Sequence, residues 1–296
     1  MVAFDLFVQM YEEEARLTSE GRIPKEKIAT AIIESNLHGI DIDLRSVQLS
    51  YFVLYLRMRE HQKSVGAPKS LPAKVNLVAA DASLLDSPEF TEWCEQRFKK
   101  EYIVNILKSV ASSLSNLSEI GSLARPEEDL KRHIRKERER LVAAWKNDKL
   151  QGFLFPEFVT PQQQELTFDK VTDEQFWNGL TKRFSRMLDV FLKRTKEEIR
   201  ERLFATDLQR VIFFLDLCRK RYDVVATNPP YIGSGNLGKR LKDFVHNVYE
   251  KGKDDLYSAF ILRCQELSAK KSFTAMVTRN LWLFQKSQKV LSCLLY

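Results

Sequence analysis

Residues 222–231 read Tyr-Asp-Val-Val-Ala-Thr-Asn-Pro-Pro-Tyr, and this stretch decides the fold. The β-branched and aromatic residues of its first half are typical of a short buried strand. The two prolines then end the strand, because proline has no backbone N–H to donate and its ring fixes φ. The sequence therefore predicts a strand over 222–227 with a stiff turn at its carboxyl end. That end is the edge at which open α/β sheets bind their ligands.

Helices and further strands are predicted on either side of this strand. The apolar spacings predict helices over 3–18, 24–33, 45–59 and 254–269, and strands over 37–42, 75–80 and 272–278. Alternation of helix and strand is typical of a mainly parallel sheet with right-handed crossovers. Between the two α/β stretches the pattern changes to long charged helices. We therefore expect an α/β chain in three parts, which are 1–87, a helical insertion over 88–221, and 222–296.

The insertion contains a dense charged run, residues 131–140, which reads Lys-Arg-His-Ile-Arg-Lys-Glu-Arg-Glu-Arg. Because glutamate and arginine can pair four residues apart on a helix, the run favours a solvated helix face over a phosphate-binding surface. The whole chain has 47 Lys and Arg against 40 Asp and Glu, a net charge of +7. This mild excess agrees with a nucleic-acid partner but does not require one.

Composition excludes several classes of protein. Apolar residues make up 44% of the 296 residues, which is enough for a sizeable core and excludes disorder as the main state. No run approaches the roughly 18 consecutive apolar residues of a membrane helix, and no export signal opens the sequence. The histidines show no metal-ligand spacing, and neither do the widely separated Cys94, Cys218, Cys264 and Cys293. We expect a cytoplasmic protein without a metal site or a membrane partner.

The turn at 228–231 carries groups that suit a planar amine. The Asn228 side-chain oxygen and the Pro229 carbonyl can accept both hydrogens of an exocyclic amine such as that of adenine. Pro230 stiffens the turn, and Tyr231 offers an aromatic face for stacking. The alternative is an ordinary Asx/Pro turn that closes a strand.

This turn resembles the signature of the S-adenosylmethionine-dependent amino-methyltransferases, particularly the adenine-N6 DNA methyltransferases. The resemblance implies a Rossmann-like sheet in which one acidic residue holds the cofactor ribose and another accepts from the cofactor adenine amine. Residues 39–43, Gly-Ile-Asp-Ile-Asp, are similar to the motif that holds the ribose, with Asp41 as the ribose ligand, and Asp81 is placed like the residue that accepts from the adenine amine. Asp43 also stands where a helix N-cap is expected, and Asp81 alone would fit a cap or a turn.

Residues 37–50 and 228–237 look most like the large adenine methyltransferases of BREX phage-defence systems and the related type IIG restriction-modification enzymes. Those proteins also have a helical insertion before the catalytic turn. The resemblance implies methyl transfer from S-adenosylmethionine to N6 of a flipped adenine in double-stranded DNA. It also implies partners among other defence-system subunits or missing parts of the same enzyme. A methyltransferase for RNA or for a glutamine side chain, and a non-catalytic nucleic-acid-binding protein, are the alternatives.

The sequence departs from the family pattern in two places. The glycine-rich first motif with its strand has no counterpart here, and neither has the domain that reads the DNA sequence. Residues 233–238 do read Gly-Ser-Gly-Asn-Leu-Gly, but they follow the catalytic turn, so we expect a loop that closes over substrate. We therefore expect an internal piece of a larger enzyme, with an incomplete sheet and no activity by itself.

Overall fold

The computed structural model describes residues 1–17, 23–80, 85, 87–98, 101–114, 117–146, 199–278 and scattered positions between 172 and 188. The chain divides into two compact units, Met1–Asp81 and Ala82–Tyr296. Each unit contains a pair of parallel strands. Within the described ranges, no helix is both long enough and apolar enough to cross a membrane.

The first unit begins with helices and then alternates strand and helix. In chain order its described elements are α1 (Val2–Leu17), α2 (Lys25–Ala31), a π-helical turn (Ile32–Asn36), β1 (His38–Asp41), α3 (Leu44–Ser64) and β2 (Asn76–Ala79). Because parallel strands need a crossover connection, α3 lies between β1 and β2 in the chain.

A buried asparagine joins the two strands of the first unit to the helix before them. β1 and β2 pair in parallel, with Asp41 opposite Ala79. Asn76 is fully buried and donates from Nδ2 to the carbonyls of Ile33 at 3.3 Å and Glu34 at 2.8 Å. These bonds satisfy carbonyl groups near the end of the π-helical turn, where a helix lacks hydrogen-bond donors of its own. The core of this unit consists of Phe4, Ile28, Ala29, Ile32, Ile33 and Met58.

The second unit contains a group of helices followed by the second strand pair. In chain order its described elements are α4 (Pro88–Arg97), α5 (Glu101–Leu114), α6 (Leu117–Ile120), a 3-10 turn (Gly121–Leu123), α7 (Pro126–Lys146), α8 (Ile199–Arg219), β3 (Tyr222–Thr227), a 3-10 turn (Ser234–Asn236), α9 (Lys239–Val248), a 3-10 turn (Glu250–Gly252), α10 (Leu256–Leu267) and β4 (Ser268–Met276).

β3 and β4 pair in parallel, and α10 packs against both strands. Thr227 at the end of β3 lies opposite Met276 at the end of β4. The register shifts between Tyr222 and Val224, so the regular part of the pairing is the half that leads to the turn. The carboxyl ends of both strands therefore meet beside the residues that follow β3.

Every described element between residues 88 and 221 is a helix, as the sequence predicts. α5 packs against α7, and α7 against α8. The described side chains of the charged run 131–140 are exposed, except for Ile134, which is buried. The prediction of a solvated helix face is therefore confirmed for this part of α7.

Other predictions differ from the structure in their bounds. The bounds of the strand over 222–227 are confirmed residue for residue, but the prediction that it is buried is wrong, because its residues are exposed or half-buried. The helix predicted over 45–59 begins at Leu44 and continues to Ser64. β4 begins at Ser268, before the predicted 272. Parallel pairing is confirmed in both units, whereas the Rossmann-like strand order and the division at 87 and 221 stay predictions.

Gly252 ends the 3-10 turn before α10 and leaves no room for a larger residue. A Cβ at this position would lie 2.8 Å from the backbone C and O atoms of Ser258. Helix backbone cannot move aside alone, and overpacking of this kind costs about 1–3 kcal/mol. We expect Gly252→Ala to lower the free energy of unfolding by that amount in chemical denaturation of the purified protein. Gly235→Ala is the matched control, because a Cβ there meets nothing within 4 Å, and equal losses would contradict the packing.

Candidate active site

The turn after β3 places its four residues in different surroundings. Pro229 is buried, whereas Asn228 and Pro230 are exposed. Tyr231 is 38% exposed. The buried proline anchors the turn to the unit, and its neighbours remain accessible to a substrate.

Tyr231 ties this turn to the end of β4. Its hydroxyl donates to the Val277 carbonyl at 2.8 Å and lies 3.3 Å from Oδ1 of Asn228. The Val277 N–H donates to the Thr227 carbonyl at 3.4 Å. The ring of Tyr257 in α10 lies 6.3 Å from the Tyr231 ring at 60°, an edge contact. The structure thus brings Asn228 and Tyr231 together and holds both against β4 and α10.

The start of α10 holds the segment that follows the turn. The Leu256 N–H donates to the Ile232 carbonyl, and the Ser234 N–H to the Asp254 carbonyl, both at 2.9 Å. Gly233 and Asp255 form an isolated antiparallel bridge. The first residues of the glycine run over 233–238 are therefore attached to the residues just before α10, and its last residue, Gly238, is the N-cap of α9.

The two aspartates after β1, Asp41 and Asp43, make different hydrogen bonds. Asp41 is exposed, and its Oδ1 accepts from the Asp43 N–H at 2.8 Å. Asp43 accepts in turn from the Arg45 N–H at 2.9 Å and caps α3, which confirms the predicted N-cap. Among the described residues, the hydrogen bonds of Asp41 use only Oδ1, which leaves Oδ2 to a ligand.

Asp81 lies outside the described residues. Asp41 belongs to the first unit, and the turn at 228–231 belongs to the second. The expectation that Asp41, Asp81 and Asn228 line one edge of a sheet therefore stays a prediction.

The cysteines and acidic groups of the described residues offer little other chemistry. Burial raises the pKa of Cys94 and of Cys218 to about 12 and that of Cys264 to about 11, so these thiols stay protonated at neutral pH. In the described part of the chain, no group of three or more His, Cys, Asp or Glu residues could hold a metal ion.

Two contacts of the turn were missed by sequence reasoning. The carbonyl of Val277 is the partner of the Tyr231 hydroxyl, and the N–H of Leu256 fixes Ile232. A backbone group has no sequence signature, so only the predicted helix over 254–269 and strand over 272–278 indicated that something would pack here.

Comparison with known proteins places the chain among methylases. The model of the Eco57I restriction-modification methylase family matches residues 35–295, a range that includes Asp41, Asp81 and the turn. The chain is 26% identical over 290 residues to the adenine-specific methyltransferase PglX of Lacticaseibacillus casei (strain Zhang), covering 98% of this chain and 19% of that protein. It is 24% identical over 289 residues to the adenine-specific methyltransferase BrxX of Escherichia coli O9:H4 (strain HS), covering 98% and 21%. The chain thus spans about a fifth of the length of these relatives.

The two aspartates after β1 can be separated by substitution. Asp43→Ala removes the acceptor for the Arg45 N–H, and loss of an N-cap costs about 0.5–2 kcal/mol. Asp43→Asn keeps a side-chain oxygen in the same place, so we expect most of the stability to remain. The free energy of unfolding of the two variants, measured by denaturant titration, checks this expectation. Equal destabilisation by Ala and Asn would show that charge rather than capping is the contribution of Asp43.

Proposed function

This chain belongs to the Eco57I restriction-modification methylase family, and on this premise we propose that the protein transfers a methyl group from S-adenosylmethionine to N6 of adenine in double-stranded DNA. The observation that carries the proposal is the exposed Asn228 held beside an accessible Tyr231 at the carboxyl end of a parallel strand. The names of the two relatives support adenine as the target. The family supports a setting in restriction-modification or phage defence, in the cytoplasm, with other defence-system subunits or further parts of the same enzyme as partners.

The proposed roles of the three parts of the chain follow the resemblance to the adenine methyltransferases. Residues 1–87 and 222–296 form the cofactor side and the catalytic side of one methyltransferase domain with a Rossmann-like sheet, and 88–221 is inserted between them. The pairing of β1 with β2 and of β3 with β4 supports a parallel sheet. The exposed basic side chains of α7 lie on the surface, where we propose that they contact DNA phosphates.

Tyr231 leaves the Asn228 oxygen available to the substrate. A hydroxyl has one hydrogen, and the bond to the Val277 carbonyl at 2.8 Å is the shorter of its two contacts, so it uses that hydrogen. Asn228 then satisfies the tyrosine oxygen best by donating from its amide nitrogen. Rotation of the amide by half a turn achieves this and directs Oδ1 away from the tyrosine, where it can accept from an amine.

Two acceptors are what the adenine amine requires. Its lone pair is delocalised into the ring, so N6 is a poor nucleophile until its hydrogens are drawn out of the ring plane. In the proposed mechanism Asn228 Oδ1 and the Pro229 carbonyl each accept one N6 hydrogen, and Pro230 keeps the two acceptors in fixed positions. Tyr231 stacks on the flipped base, which its exposure permits.

Asp41 fits the ribose of S-adenosylmethionine. Its carboxylate is exposed at the end of β1, and Oδ2 can accept from the vicinal hydroxyls while Oδ1 stays bonded to Asp43. Asp81 is proposed, by resemblance alone, to accept from the cofactor adenine amine. The cofactor would supply a methyl group on a positively charged sulfur and would leave as a neutral thioether, and N6 would release one proton to water.

The catalytic assignment predicts that Asn228→Ala reduces adenine methylation to a small fraction of the wild-type level. Loss of one preorganised hydrogen-bonding group at a reacting centre lowers rates by about 10²–10³. The test is to sequence adenine modification genome-wide in cells that express the full-length protein with and without the substitution. Asn247→Ala, which replaces an exposed asparagine near the end of α9, is the matched control and should methylate normally.

The same experiment separates the proposal from its alternatives. N6-methyladenine at the wild-type level in the Asn228→Ala cells would contradict the role of the turn. Methylated RNA or methylated glutamine, detected by mass spectrometry in place of methylated DNA, would instead favour the other amino-methyltransferases. Binding of nucleic acid without any methylation would favour a non-catalytic protein.

The cofactor assignment predicts that Asp41→Ala weakens S-adenosylmethionine binding by about 1.5–3 kcal/mol, the range for hydrogen bonds to a charged group. Asp41→Asn should lose less, because its neutral oxygen still accepts. Isothermal titration calorimetry of the full-length protein measures both. Asp43→Asn is the control for a change in the local backbone, and if it weakened binding as much as Asp41→Ala, the ribose assignment would fail.

A further inference from the structure

A buried arginine joins the helical insertion to the segment that carries the turn. Arg263 in α10 is 1% exposed. Its guanidinium donates to both carboxylate oxygens of Glu127 at the start of α7, with 3.2 Å between Nη2 and Oε2. Nε donates to the Ser122 carbonyl at 3.1 Å, and Nη1 to Oε2 of Glu266 at 3.3 Å. Four of the five N–H groups of this planar group are thereby bonded, which favours one orientation of α10.

Two neighbouring side chains continue the same junction. The Tyr249 hydroxyl donates to the Leu123 carbonyl at 2.8 Å. Arg125 Nη2 lies 3.2 Å from Oε1 of Glu266, and its guanidinium lies 5.9 Å from the centre of the Tyr249 ring. Residues 122–127 of the insertion are therefore bonded to α10 and to the segment before it at several points.

The arginine remains charged in this surrounding. Burial lowers the pKa of Arg263, but the hydrogen bonds and the charge of Glu127 outweigh burial and raise the pKa above its ordinary value. A buried ion pair adds little stability compared with apolar residues of similar volume, because desolvation offsets the attraction. The bidentate pair instead fixes an orientation of α10, because the planar guanidinium fits the carboxylate in one plane.

α10 connects this junction to the turn. Arg263 lies about two helical turns from Leu256 and Tyr257, which contact the segment after β3 and the Tyr231 ring. The backbone of Ser258 is packed against Gly252 with no room for even a methyl group. A shift of the helix at Arg263 would therefore move the groups that hold the turn.

We propose that Arg263 and Glu127 are positioning residues for methyl transfer. The insertion fixes α10 through this pair, and α10 fixes the turn that presents Asn228 to the base. The inference rests on the proposed function of the turn, and it gives the insertion a role in catalysis in addition to any contact with DNA.

The test removes the directional hydrogen bonds of the Arg263–Glu127 pair while keeping the volume of its side chains. The double variant Arg263→Met/Glu127→Leu fills the junction with apolar side chains, which preserves stability where a buried pair is replaced as a unit. We expect it to unfold within a few degrees of the wild-type protein, to retain the KM for S-adenosylmethionine, and to lose at least about tenfold in kcat. The assay uses the full-length protein with genomic DNA that lacks adenine methylation as substrate.

A second ion pair between the insertion and the catalytic segment provides the matched control. Arg240 in α9 and Glu119 in α6 are 2.9 Å apart at an exposed site. Arg240→Gln/Glu119→Gln should leave kcat unchanged. A loss of kcat equal to that of the buried double variant would overturn the specific role of Arg263.

The remaining outcomes are also decisive. If kcat of the buried double variant equals that of the wild type, a positioning role is excluded. If that variant does not fold, Arg263→Lys is used in its place, because lysine keeps the positive charge but cannot form the bidentate bond. A wild-type kcat for Arg263→Lys would overturn the proposal. If the wild-type protein makes no N6-methyladenine, the proposed function itself is wrong. If the wild-type protein is active and the Asn228→Ala protein is inactive, the proposed function stands, and a wild-type kcat in the buried double variant then contradicts only the role of Arg263 and Glu127.

Discussion

The parallel pairing of β3 with β4 is the constraint on which the second unit depends. Two parallel strands cannot be joined by a hairpin, so the chain after β3 must travel back before β4 can begin. α9 and α10 make this return, and α10 leads directly into β4. The result is that the segment after β3 meets both the start of α10 and the end of β4. The turn at 228–231 therefore lies among three elements rather than on an open loop.

Local patterns in the sequence predict much of this arrangement. The strand over 222–227 is recognised because its apolar residues stop at two prolines, and Asp43 is recognised as an N-cap because a helical spacing begins directly after it. β4 is recognised later than it begins, because its first residues, from Ser268 to Lys271, are largely polar. They lie where the register shifts, and Lys271 has a φ of 60°, so this end of the strand lacks the regular alternation that a sequence pattern needs.

Contacts between distant polar groups could not be predicted. Arg263 lies in a helix of mainly apolar residues, and its partner Glu127 is 136 residues away in a charged helix where a solvated glutamate is the ordinary expectation. No period in the sequence links the two. The same holds for Tyr231 and the carbonyl of Val277, which are 46 residues apart. Such pairs depend on how complete elements pack, and only the predicted order of the elements constrains them.

The composition of the turn explains why it must be held from outside. Two of its four residues are prolines and donate no backbone hydrogen bond, so the turn cannot be stabilised by a ladder of its own. The hydroxyl of Tyr231 supplies a missing donor by bonding to the end of β4, and Leu256 supplies another by bonding to Ile232. A phenylalanine would keep the aromatic face but lose the first of these bonds. In the proposed function the tyrosine therefore serves two purposes, since its ring stacks on the base while its hydroxyl fixes the turn that carries Asn228.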